Sequence, residues 1–158
     1  MSDDQKTIIV FSGDLDKAMA AMIIASGAAA MGNAVTLFFT FWGLNLLRKP
    51  EPVRVKKNLL EALFGWMMPR GARRATLSKL HLGGMGTAMM KYVMRTKRVA
   101  TPDELMQQAR EMGVKFIACA MSMDVMGIKP EELIDGVEIG GVATYLGSAD
   151  EANVNLFI

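Results

Sequence analysis

Short apolar runs rich in β-branched and aromatic residues alternate with longer segments of helical character along this chain, and that alternation restricts the fold more than any other feature. Thr7 to Phe11, Ala34 to Phe41 and Val114 to Cys119 read as strands of the kind found in parallel sheets covered on both faces. Asp14 stands where it would cap a long Ala- and Met-rich helix ending at Met31, before Gly32. Thr101-Pro102-Asp103-Glu104 combines a capping box with proline at the first helical position, and Gly113 closes that helix after Met112. Further on, Pro130 to Ile134 reads as a short helix, Gly136 to Gly140 as a short strand, Val142 to Ala152 as a helix and Asn153 to Ile158 as a last strand. Strands separated by helices predict an α/β fold around a mainly parallel sheet. The first helix is apolar nearly all round, which predicts burial on more than one side, against the sheet and against a neighbouring subunit.

The middle third interrupts the alternation. Between Arg48 and Arg98 thirteen Lys and Arg residues meet only Glu51 and Glu61, a local balance of +11, while the rest of the chain carries −9. Leu59, Leu60, Leu63, Phe64, Met67 and Met68 form one helical apolar stripe there, and Met85, Met89, Tyr92 and Val93 form another. We read residues 48–98 as an inserted pair of basic amphipathic helices within a single domain of 158 residues. Such stripes suit contact with a sister subunit or a partner protein, with an anionic membrane surface as the second reading. Nucleic acid is disfavoured, because the segment has few aromatics and the remainder of the chain is acidic. No apolar run approaches the roughly 18–20 residues of a spanning helix. A single cysteine and the lack of a secretory leader predict a cytoplasmic protein, with peripheral membrane association through the basic segment as an option.

That cysteine, Cys119, is expected at the carboxyl end of a strand that turns directly into a short helix capped by Gly127. Open α/β sheets place ligands in the crevice at that end, and helix N-terminal N–H groups there favour the thiolate, the reactive form. Cys119 is therefore expected to be accessible. Trp42 and Asn45 follow the end of the second strand, so Asn45 is expected to face the same crevice. Ser12-Gly13-Asp14 can be read as an anion-binding helix entry or, more simply, as a turn with an N-cap. Ser122, three residues after Cys119, is a further binding candidate. His81 is the only histidine, so neither a metal nor a cofactor is expected. Met121, Met123 and Met126 offer soft sulfur near the thiol, although fifteen methionines spread over the chain argue for pliable packing.

Several of these segments, in order, resemble a known family. Phe11-Ser12-Gly13-Asp14-Leu15-Asp16-Lys17-Ala18, Gly27-Ala28-Ala29-Ala30-Met31-Gly32, Phe38-Phe39-Thr40-Phe41-Trp42-Gly43-Leu44, Ala118-Cys119-Ala120-Met121-Ser122-Met123-Asp124-Val125-Met126-Gly127-Ile128 and Gly136-Val137-Glu138-Ile139-Gly140-Gly141-Val142-Ala143 are similar to the DsrE/DsrF/DsrH-like proteins. The closest likeness is to the DsrE2-type branch, sometimes labelled peroxiredoxin-like. The resemblance implies a three-layer α/β/α domain around a five-stranded sheet, a homo-oligomer, and traffic in sulfur between donor and acceptor proteins. It also implies that Cys119, which matches the family's strand-end cysteine, carries sulfane sulfur as a persulfide. The Pro-x-x-x-Thr-x-x-Cys pattern of true peroxiredoxins is absent, and there is no resolving cysteine. A non-catalytic adaptor, in which Cys119 only packs and the basic helices bind a partner or a membrane, is the alternative reading.

Overall fold

The apolar runs form the strands expected of them. The computed structural model, which describes residues 4–158, contains β1 (Gln5–Val10), β2 (Ala34–Phe39), β3 (Lys115–Cys119), β4 (Glu138–Gly140) and β5 (Ala152–Phe157). They make one sheet in the order β4-β3-β2-β1-β5, and every neighbouring pair is parallel. All strand carboxyl ends therefore lie along one edge, which brings the loop after Phe11, the loop after Thr40 and Cys119 together.

Side-chain alternation divides the sheet into two faces. Ile8, Leu37 and Phe116 stand in register, as do Val10, Phe39 and Ala118, and all are buried in the main core. Helix α1 (Leu15–Ala30) covers this face with Leu15, Ala18, Ala21, Met22 and Ala25, a single stripe at helical spacing. Helix α4 (Pro102–Glu111) adds Leu105, Met106 and Ala109. Its start is the expected capping box: Glu104 N–H donates to Thr101 Oγ1 at 3.3 Å and Thr101 N–H to Glu104 Oε2 at 2.8 Å.

The opposite face, with Ile9, Phe38, Ile117 and Cys119, is covered by α6 (Val142–Asp150), in which Tyr145 is the one buried residue. The result is three layers, one of them thin. Within the chain α1 is not buried on several sides: Ile23 and Ile24 are exposed.

The second strand stops earlier than its apolar run. Phe41 takes φ 45°, and Phe41–Leu47 winds into a buried 3-10 helix. The cause is a close crossing over the end of β1, where Gly43 N–H donates to Phe11 O at 2.9 Å. A Cβ on Gly43 would lie 2.0 Å from Val10 O, and one on Gly13 2.6 Å from Trp42 O. Only glycine allows these two loops to touch.

The basic segment contains the expected helices, α2 (Leu59–Met67) and α3 (Met85–Thr96). Asn58 caps α2 through a capping box with Glu61. Leu15 N–H donates to Thr76 O at 2.8 Å, and the Ser78 hydroxyl donates to Asp16 Oδ2. Burial raises the Asp16 pKa, but the hydrogen bonds from Ser78 outweigh it and hold the carboxyl below its ordinary value. The apolar side of α2 remains uncovered, with Leu59 85% and Trp66 80% exposed. Among the described residues no helix is long and apolar enough to cross a membrane.

Candidate functional site

Cys119 ends β3 and is the N-cap residue of the seven-residue α5 (Ala120–Met126), which Gly127 closes in the left-handed conformation. This is the expected place, but the expected accessibility is not found: Cys119 is 1% exposed. Strand alternation accounts for the difference. Cys119 shares the face of Ile117, and both join Phe38 and Tyr145 in one apolar cluster. The Phe38 and Tyr145 rings sit 5.1 Å apart, and the Tyr145 hydroxyl lies 3.4 Å from Thr7 Oγ1. In register with Cys119 is Gly140, followed directly by the Gly141 N-cap of α6. Tyr145 of α6 is one of the side chains that cover the thiol. Replacing Tyr145 with alanine is therefore expected to speed iodoacetamide alkylation of Cys119 by about tenfold or more, because each ~1.4 kcal/mol removed from a local opening multiplies the open population by about ten. An unchanged rate would show that α6 does not gate the thiol.

The other candidate residues separate into three settings. Ser122 is fully buried, with its hydroxyl 2.7 Å from Thr40 Oγ1, so it ties α5 to the loop after β2. Ser12 and Asp14 satisfy each other: the Ser12 hydroxyl donates to Asp14 Oδ2 at 2.8 Å and accepts from Asp14 N–H at 3.1 Å. Asp14 occupies the N-cap position of α1 without a cap bond to a backbone N–H, and its carboxylate instead pairs with Lys17 of the first turn at 3.4 Å. The close approach of Trp42 explains Gly13.

Asn45 does not face the Cys119 cluster. It is buried beside Arg48, whose Nη1 donates to Asn45 Oδ1 at 3.2 Å, and its carbonyl accepts from Gly71 N–H at 2.8 Å. Met123 and Met126 sit in the main core rather than in the cysteine cluster, and Met121 is exposed, which fits packing rather than a soft-metal site. His81 Nδ1 lies 2.9 Å from Thr87 Oγ1. Among the described residues no group of His, Cys, Asp and Glu side chains is placed to hold a metal.

Sequence reasoning missed a buried ionic cluster. The Glu132 carboxylate is fully buried and receives Lys57 Nζ at 2.6 Å, Arg70 Nη2 at 3.2 Å and Arg48 Nη2 at 3.5 Å. Arg48 Nη2 also donates to Gly65 O at 3.0 Å. Burial pushes the Glu132 carboxyl up, but the Lys129 N–H and the Lys57 and Arg48 cations together hold it below the ordinary carboxylate range. Burial and the neighbouring Arg70 lower the Arg48 pKa against the pull of Glu132. Arg48 Nε and Arg70 Nη1 have no hydrogen-bond partner among the described residues. The cluster clamps the basic segment to the strand-end region. Glu61 of α2 reinforces the clamp by pairing with Lys129 at 3.5 Å and lying against Gly127 at the end of α5.

The sequence profile of the DsrE/DsrF/DrsH-like family matches residues 2–157. The chain is 55% identical over 152 residues to the uncharacterized protein YrkE of Bacillus subtilis, covering 96% of this chain and 95% of that one. It is 39% identical over 162 residues to the sulfur carrier protein DsrE2 of Allochromatium vinosum, covering all of both chains. The crystal structure of the ychN protein from E. coli shares the fold, with a TM-score of 0.54 at 16% identity over 98% of this chain and 99% of that one.

Proposed function

Because this chain belongs to the DsrE/DsrF/DrsH-like family, we propose that it is a sulfur carrier that holds sulfane sulfur on Cys119 and passes it to an acceptor thiol. The observation that carries this reading is the end-to-end likeness to the DsrE2 sulfur carrier, in a chain whose one cysteine stands at the edge where the strand ends meet. The Cys119 thiolate attacks the outer sulfur of a donor persulfide, R–S–SH. The S–S bond of the donor breaks, R–S⁻ leaves, and Cys119–S–SH forms. The reverse exchange with an acceptor thiolate returns Cys119 to its starting state, so no net oxidant or reductant is consumed. Burial among Phe38, Ile117 and Tyr145 suits the carrying stage, since apolar cover withholds the persulfide from stray thiols.

Cyanide provides the test, because it removes a sulfane sulfur as thiocyanate and restores the thiol. Protein incubated with polysulfide and desalted should release about one thiocyanate per chain on cyanide treatment, and the Cys119→Ser variant none. Equal release from both would defeat the assignment.

The same reading includes a homo-oligomer. Ile23 and Ile24 on α1, the uncovered side of α2, and Phe157 on β5 expose more apolar surface than a soluble monomer usually leaves open. Light scattering should give a mass that is a multiple of the 17.2 kDa chain and that changes little with salt, because apolar burial dominates. A monomer at all concentrations would contradict this.

A second reading, the non-catalytic adaptor, is favoured by the burial of Cys119 beside the exposed α2 face. It predicts no thiocyanate release.

A further inference from the structure

Helices α3 and α4 enclose a cleft of about 1050 Å³ whose charges are unbalanced. Its apolar floor includes Leu15 at the start of α1, which follows β1, so the cleft opens at the same end of the sheet as the strand termini. On one wall Lys91, Tyr92, Arg95 and Arg98 line it. The two carboxylates on the opposite wall are already engaged: Asp103 pairs with Arg73 at 2.8 Å, and Glu104 closes the capping box of α4. No carboxylate among the described residues pairs with Lys91, Arg95 or Arg98. Lys91 Nζ donates only to the carbonyl of Arg73, at 2.9 Å, and partial burial lowers its pKa.

Arg98 adds a second observation. Its N–H donates to Arg95 O, while Val99 N–H donates to Met94 O, which closes α3 in a Schellman-like turn. The residue at this position takes φ 55°, a left-handed conformation that glycine adopts without strain and arginine does not. Here the backbone is held in a costly conformation by a residue whose side chain lines the cleft.

Lys91 and Arg95 lie one turn apart on α3, about 6 Å at 1.5 Å per helical residue, and Arg98 extends the row just past the helix end. One phosphate is much shorter than that row, whereas carboxylates at positions i, i+4 and i+7 of a second helix span the same length. Of the apolar stripe of α3, Tyr92 lines the cleft, and Met85 and Met89 are exposed on the same helix and offer surface to apolar anchors. We propose that this cleft, on the α4 side of the sheet and away from α6, docks an acidic amphipathic helix of a partner protein.

The test is fluorescence anisotropy with a fluorescein-labelled synthetic peptide carrying glutamates and leucines at helical spacing, beside a counterpart with glutamine in place of glutamate. The acidic peptide should bind the full chain and the glutamine peptide should not, with affinity falling as salt rises. Arg95→Glu combined with Arg98→Glu should weaken binding about tenfold or more, since like charges then face each other. Arg98→Gly should weaken binding while raising Tm by about 2 °C, because it removes both the cation and the strain. Cys119→Ser should bind the peptide unchanged, so that loss of sulfur carriage and loss of docking are seen separately. Equal binding of both peptides, or indifference to both arginine changes, overturns the proposal. So does capture of anionic phosphatidylglycerol vesicles without peptide binding, or dissociation of a homo-oligomer by the arginine reversals, which would assign the cleft to a membrane or to a second copy.

Discussion

Replacing Glu132 with glutamine is expected to lower folding stability by about 3–5 kcal/mol. The substitution keeps the side-chain volume and removes only the charge, so packing loss does not confuse the result. What remains is Arg48, fully buried, beside Lys57 and Arg70 with no carboxylate among them. Removing one partner of a buried ion pair is far more costly than the pair itself is stabilising, because the other charge stays desolvated. The effect has a pH signature. The folded Glu132 carboxyl is held below its ordinary value, so the stability it confers is complete above the unfolded glutamate value, about 4.3, and is lost as pH falls through the folded value. Urea titrations at neutral pH should show the full loss in Glu132→Gln. Below about pH 4 the difference between variant and wild type should narrow. A neutral-pH loss under about 1 kcal/mol would mean that the three cations rearrange into solvent and that the clamp is not structural.

How far the chain could be read in advance depended on whether the deciding interactions were local. The strands were visible as apolar runs, and α4 was visible because Thr101, Pro102 and Glu104 form a start signal within four residues. The placement of Cys119 at a strand end followed from the same local logic. Its burial did not, because that depends on α6, whose Tyr145 lies far along the chain but packs into the same cluster. The ionic cluster was hidden for the same reason: Arg48 and Glu132 are separated by 84 positions, and neither is distinguished by its neighbours in sequence. Asn45 looked like a crevice residue because it follows a strand, yet the turn into a 3-10 helix, forced by the contact of Gly43 with the end of β1, directs it to Arg48 instead.

The second large effect concerns the thiol. Incubation of the wild-type protein with polysulfide is expected to load one sulfur onto the chain, whereas Cys119→Ser should load none, since no other thiol exists in the sequence. The loss in the variant is complete rather than partial, because a hydroxyl cannot form the S–S bond that holds the cargo. Loading should be faster when Tyr145 is replaced by alanine, because Tyr145 covers the thiol, and the alkylation rate and the loading rate should rise together. Loading that ignores the Tyr145 change would place the route to the thiol elsewhere than beneath α6.

Intact-mass spectrometry after exposure to a sulfane sulfur donor and removal of the excess tests the central claim most directly. The account predicts a gain of about 32 Da on the wild-type chain, removed by dithiothreitol and absent from Cys119→Ser. A wild-type mass that does not change with any polysulfide or thiosulfate donor, in protein whose thiol alkylates normally, would contradict it.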